Sequence, residues 1–275
     1  MTFWQNVLRI LDAKMTEPQP YGAFHLTVFA LSIIVGIGLG LWHKKSGSPE
    51  RVRRIILWTS VTVALLEIYK LINYSFSYED GVSFAFNWSA FPWQFCSTPM
   101  YVGLLAGLTR KGKLHESLCA YLATYSMFAG LIVMIIPTSI YVETIGVNIQ
   151  TSFCHGSMIA IAIYLMYSGY VKVEHKTILK AIPVFVVAVA VAMILNEVGY
   201  LTGLTEEHYF NMFYFSRHED PHLPIYSLVQ PLVPYPVSLA IYIGGFTLAA
   251  YLMLVGAMGV RSLARIPKHK VATAK

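Results

Sequence analysis

Residues 22–54 read GAFHLTVFALSIIVGIGLGLW-HKKSGSPERVRR, and residues 55–73 continue IILWTSVTVALLEIYKLIN. Two long apolar runs flank a segment carrying Lys44, Lys45, Arg51, Arg53 and Arg54. At 1.5 Å per helical residue each run is long enough for a hydrocarbon core of about 30 Å. The basic segment between them belongs in water. This is the pattern of a helical hairpin that crosses a bilayer twice.

Working outward, five further apolar runs follow, at 91–109, 118–136, 149–171, 178–196 and 233–260. The whole chain is 275 residues, 56% hydrophobic and only 12% charged, with a mean hydropathy of +0.57. A soluble domain carries about a quarter charged residues, so the shortage of charge excludes a soluble enzyme. The expected fold is an all-α membrane protein, a bundle of seven transmembrane helices over 22–260. Residues 1–21 form an N-terminal interfacial segment and 261–275 a basic tail.

Basic residues set the expected orientation. Besides the five above, Arg110, Lys111 and Lys113 follow the third run and Lys172, Lys176 and Lys180 follow the fifth. Arg261, Arg265, Lys268, Lys270 and Lys275 follow the seventh. Sixteen of the 20 Lys and Arg residues therefore share one side. By the positive-inside rule that side is cytosolic, which puts the N-terminus outside and the C-terminus inside, most simply at the cytoplasmic membrane. The net charge of +6 reads as topology and not as nucleic-acid binding. Pro18 and Pro20 interrupt the leader, so the first span is expected to stay uncleaved. Phe3–Met15 reads equally as a short interfacial helix or a solvated leader. The aromatic stretch Thr202–Leu232 is too apolar to float free and is expected to dip back over the bundle.

Polar residues inside spans are costly and call for a reason. Glu67, Lys70 and Tyr74 share one face of the second span, where Glu67 and Lys70 can pair at i, i+3. In the bland reading Lys70 simply snorkels to the interface. Cys96 falls about five residues, roughly 7 Å, into the third span, near a helix start whose dipole favours thiolate. His155 lies at similar depth in the fifth span, with Ser152 and Thr151 three and four residues before it. A lone buried Cys or His is more often a packing residue; their matching depth is what singles them out. Cys154 points about 100° away from His155, and Cys119 lies near the opposite end. Both read as packing residues. Asn196 and Glu197 end the sixth span, and His25 starts the first, on the same outer side. A transporter more typically carries polar groups at the midplane.

The elements FPWQFC at 91–96, FCHG at 153–156 and NMFY at 211–214 followed by Pro221 resemble the signatures of YwaF-type integral membrane proteins. Eukaryotic relatives of that family include a transmembrane acyltransferase acting on ether phospholipids. More remotely, the elements resemble those of the androgen-induced membrane hydrolases of fatty-acid esters. The resemblance spans roughly residues 50–260, with Gln94 standing where the family has histidine. It implies Cys96 as acyl-carrying nucleophile and His155 as its base. Glu67, Lys70, Gln94, Ser152, Asn196 and Asn211 are then expected as supporting or head-group-binding residues, with membrane phospholipids as partners.

The alternative from the residues alone is a transporter or receptor holding a small amphiphile in the same outer cavity. No metal-ligand spacing, disulfide framework or cofactor motif is evident. The seventh span has no lysine for a retinal Schiff base, and a bis-histidine haem on His25 and His155 has no supporting motif.

Overall fold

The computed structural model describes residues 2–137 and 140–263. Among the described residues, six helices or helical segments are long and apolar enough to cross a membrane: α2 (Ala23–Ser46), α3 (Pro49–Ser75), the pair α5–α6 (Lys113–Ala123 and Tyr125–Ile135), α7 (Ile145–Tyr167), α8 (Lys176–Leu201) and α11 (Tyr235–Leu263). Their outer faces expose Leu31, Ile34, Trp58, Leu65, Val187, Ile194 and Leu248, each more than half accessible. A belt of large apolar side chains on several helices is a lipid-facing surface. This is a multi-pass membrane protein.

The third apolar run differs from the other six. Only Thr98–Leu108 (α4) is helical, and 11 residues span about 17 Å, roughly half a hydrocarbon core. Pro99 explains where the helix begins. Proline is tolerated in the first turn, but inside a helix its ring clashes with the carbonyl four residues back. A helix starting at Phe91 would set Pro99 against the carbonyl of Phe95. The chain instead runs through turns from Phe91 to Ser97 and starts the helix at Thr98. The fourth run is also broken, at Thr124, whose hydroxyl donates to the Ala120 carbonyl at 2.7 Å. Such back-bonding bends helices, and α6 leaves α5 at that point.

Helix α7 lies at the centre and packs against α2, α3, α5 and α6. Close approach is secured by glycine. A Cβ on Gly36 of α2 would fall 2.8 Å from the Ala160 carbonyl oxygen, and one on Gly130 of α6 would fall 2.8 Å from that of His155. Small residues at such crossings let helices pack tightly where lipid provides no hydrophobic drive. On the other flank, an aromatic core stacks Tyr125 on Phe185 at 4.4 Å and Tyr242 on Phe246 at 4.4 Å.

The segment after α8 does fold back. Beyond the single turn α9 (Leu204–Glu207), Phe210, Met212, Phe213 and Phe215 are all buried, before the short α10 (Tyr226–Val229) and α11. At the same end, α1 (Phe3–Leu11) is a helix and not a floating leader. It opens with a reciprocal Thr2–Gln5 capping box and exposes Phe3, Trp4 and Ile10. Asp12 ties it down, accepting from Lys14 at 2.8 Å, Tyr78 at 2.9 Å and Thr144 at 2.9 Å. Burial raises the Asp12 carboxyl pKa, but these partners and Asn73 outweigh it and hold the carboxyl below its usual value. Tyr78 belongs to the turn of a two-residue hairpin, β1 (Phe76–Ser77) with β2 (Ser83–Phe84). The basic tail expected over 261–275 lies, from residue 264 onward, outside the described residues.

Candidate functional site at the broken start of α4

Because α4 begins late, Cys96 precedes the helix instead of lying within it. The Ser97 amide donates to the Gln94 carbonyl at 2.9 Å and the Thr98 amide to the same oxygen at 3.1 Å, so Gln94–Thr98 is a tight turn with Cys96 near its apex. Cys96 is half-buried, whereas Cys119 and Cys154 are fully buried; all three are free thiols. Its neighbours are the apolar cluster of Val63, Met100, Ala129, Cys154 and Met158. The Cys154 thiol lies 3.8 Å from the Cys96 carbonyl oxygen. It is therefore Cys154 of α7, read from sequence as a packing residue, that meets Cys96 directly.

His155 is one residue further along α7, about 100° round the helix. Its Nδ1 lies 2.8 Å from the Thr151 carbonyl and 3.3 Å from the Thr151 hydroxyl. The carbonyl can only accept, so Nδ1 carries the proton and Nε2 keeps its lone pair. No hydrogen bond joins His155 to Cys96 among the described residues. Thr151 orients the imidazole, and Ser152 does not. The Ser152 hydroxyl is buried with no hydrogen-bond partner among the described residues. His25 is fully engaged, Nε2 with the Met134 carbonyl at 3.0 Å and Nδ1 with the Tyr21 amide at 3.0 Å.

Glu67 and Lys70 pair on α3 as their spacing suggests. The second Glu67 oxygen accepts from Gln150 Nε2 of α7 at 2.7 Å. Glu67 is buried and the Lys70 side chain retains 18% of its exposure. Gln150 was not evident from sequence. Its signal is register: positions 150 and 154 are i, i+4 on one face of α7, so the face that meets Cys96 also meets Glu67.

Gln94, Asn196 and Asn211 form a second group, which holds the inserted loop in place. Gln94 Nε2 donates to the Asn211 carbonyl at 3.0 Å and its Oε1 accepts the Phe213 amide at 2.9 Å. Asn196 embraces Met212, donating to its carbonyl at 3.0 Å and accepting its amide at 2.7 Å. Asn211 Oδ1 accepts the Ser216 amide at 2.9 Å. Phe213 and Tyr214 have positive φ, 60° and 55°, a region that bulky residues rarely occupy and that persists only when the surroundings over-determine it. The three amides supply that determination. Replacing Asn196 with leucine would orphan a buried amide and a buried carbonyl, each costing about 1–3 kcal/mol. A lowered melting temperature and faster proteolysis between 208 and 220 are expected; an unchanged melting temperature would mean that this amide does not hold the loop.

The TMEM164 family model matches residues 20–255, which include every residue of both groups. The chain belongs to the TMEM164 family. No curated protein and no solved structure matches it. The matched region ends short of the last turns of α11 and begins after α1, so the TMEM164 unit is the bundle itself.

One further cluster in this chain, at the end opposite Cys96, was not singled out from the sequence. His115 and Cys119 are i, i+4 on α5, and their side chains meet at 3.5 Å. His115 Nε2 also meets the Tyr170 hydroxyl at 2.8 Å, while Nδ1 meets the Ala106 carbonyl at 3.0 Å. His115, Cys119 and Tyr170 line a cavity of about 440 Å³. Among the described residues no three His, Cys, Asp or Glu side chains gather as metal ligands.

Proposed function

We propose that this protein moves acyl groups between membrane lipids, or hydrolyses them, with Cys96 as nucleophile and His155 as base. The observation that carries the reading is the place of Cys96: of the three cysteines it is the one outside a helix, in the turn just before α4, and as a residue it is not fully buried. The His155 tautomer supports it, because an Nδ1–H fixed by a carbonyl leaves Nε2 as an acceptor. His155 also follows Cys154, whose sulfur touches the Cys96 carbonyl. Family membership points the same way, since the TMEM164 family is linked to ether-lipid acyltransferase activity. Kinship with the YwaF-type proteins is part of the same proposal.

In the proposed reaction His155 Nε2 takes the Cys96 proton and the thiolate attacks a lipid ester carbonyl. The ester C–O bond breaks, a thioester forms on Cys96, and the departing lysolipid oxygen takes the proton from the imidazolium. A second lipid hydroxyl, or water, then attacks the thioester while His155 removes its proton, and the returning thiolate is reprotonated. The step needs the imidazole to swing toward Cys96; catalytic pairs often close only around substrate. The Glu67–Lys70 pair and the Gln94–Asn211 roof would bound the head-group region.

A second reading is favoured by one observation, the absent Cys96–His155 hydrogen bond. In it the same end of the bundle binds a small amphiphile without chemistry, as a transporter or receptor. Labelling intact membranes with a thiol-reactive, lipid-like acyl probe separates the two. Acyl transfer requires labelling that Cys96→Ser removes; binding without chemistry gives none.

The proposal sets the Cys96 end outside the cytoplasmic membrane, by the positive-inside rule. A reporter fused after Lys275 should then be cytosolic, and a tag within 206–220 accessible from outside. Cytosolic exposure of that tag would reverse the orientation.

A further inference from the structure

The cavity of about 440 Å³ opposite Cys96 has the size of pockets that hold small ligands, and acyl transfer at Cys96 makes no use of it. Helices α5 and α8 both begin at its wall, and neither N-terminus has a side-chain cap. The Thr177 amide of α8 already donates to the Glu174 carbonyl at 3.0 Å, but the positive ends of two macrodipoles still meet at one place, an arrangement that suits anions. Lys111, Lys172 and Lys180 line the same cavity against Glu116 and Glu174. Lys180 is engaged by Glu116 at 2.7 Å; Lys111 and Lys172 form no ion pair among the described residues. Deeper in, the His115–Tyr170 hydrogen bond gives the wall a polar lining.

Membrane topology by itself accounts for lysines at this end. It does not require a cavity, nor two uncapped helix starts converging on it. We propose that this cavity binds a phosphate-bearing anion, neutralised by Lys111 and Lys172 and received by the α5 and α8 N-termini. The anion comes either from a lipid head group or from a soluble phosphate compound. The inference is independent of the chemistry at Cys96.

The test uses the full chain in phosphatidylcholine nanodiscs. Pyrophosphate is titrated calorimetrically, and phosphatidic acid retained from mixed-lipid discs is measured by native mass spectrometry. The wild type is compared with Lys111→Gln/Lys172→Gln and with Lys45→Gln, a lysine at the same end that does not line the cavity. Pyrophosphate binding weakened about tenfold or more in the double variant alone assigns a soluble ligand. Phosphatidic acid retention lost in the double variant alone, without pyrophosphate binding, assigns a lipid. Both outcomes support the site. Binding of neither probe, or binding that the double variant leaves unchanged or that Lys45→Gln weakens equally, overturns it. Melting temperatures of the variants confirm that they remain folded.

Discussion

Cys96→Ser is expected to lower lipid acyl turnover about 10³-fold or more, the scale on which loss of a nucleophile acts. Serine keeps the size of the side chain, so the turn from Gln94 to Thr98 should survive and the effect should be chemical. A hydroxyl is far harder to ionise than a thiol, so an imidazole base would activate serine far less. His155→Ala should cost a comparable factor, and the double variant little more, because groups acting as one unit are not additive. Cys119→Ser and Cys154→Ser serve as controls and should retain most activity. Cys154→Ser also tests packing, since its sulfur contacts the Cys96 carbonyl. Turnover that persists in Cys96→Ser would remove Cys96 as the nucleophile, and turnover indifferent to His155 would remove His155 as the base. Absence of turnover in the wild type would transfer the case to the binding reading.

The long helices were legible because the signal is local. Each of α2, α3, α7, α8 and α11 is an uninterrupted apolar run, and lipid leaves a chain no alternative to satisfying its own backbone. The Glu67–Lys70 pair was legible for the same reason, being i, i+3 on one helix. The third run is helical over less than its apolar length because it holds two prolines, Pro92 and Pro99, and a helix tolerates proline readily only in its first turn. Seven residues are about two turns, and only Pro99 could keep that position. Cys96 consequently moved from inside a helix to the turn before it. The roles of Gln94, Asn196 and Asn211 were not legible beyond their being polar and near one end. Their partners are backbone groups of a loop up to 119 residues away in sequence, and no periodicity encodes such pairing. His115 and Cys119 do share a helix face, a signal available in the sequence. What was absent from it is the cavity, which arises from the packing of α5 against α8 and from the α7–α8 connection.

Glu67→Leu should destabilise the protein by an amount near the lower end of the roughly 3–5 kcal/mol expected when one member of a buried pair is removed. The leucine itself suits its surroundings. The cost falls on Lys70, left charged with 18% of its side chain exposed, and on Gln150, which loses the acceptor for its amide. Two effects limit the loss. Lys70 is five residues from the end of α3 at Ser75, about 7.5 Å along the axis, so its ammonium can snorkel most of the way to the interface. Gln150 can turn toward the space the carboxylate vacated. The double variant Glu67→Leu/Lys70→Met removes both charges and should recover most of the melting temperature, because exchanging a buried pair for apolar residues is often neutral or stabilising. Comparing stability with turnover then separates two roles for the pair. If it only joins α3 to α7, the double variant should be both stable and active. If it receives a lipid head group beside Cys96, the double variant should be stable, keep its Cys96-dependent probe labelling, and show a raised KM for lipid. A double variant as unstable as Glu67→Leu would refute the premise that the unpaired Lys70 charge carries the cost.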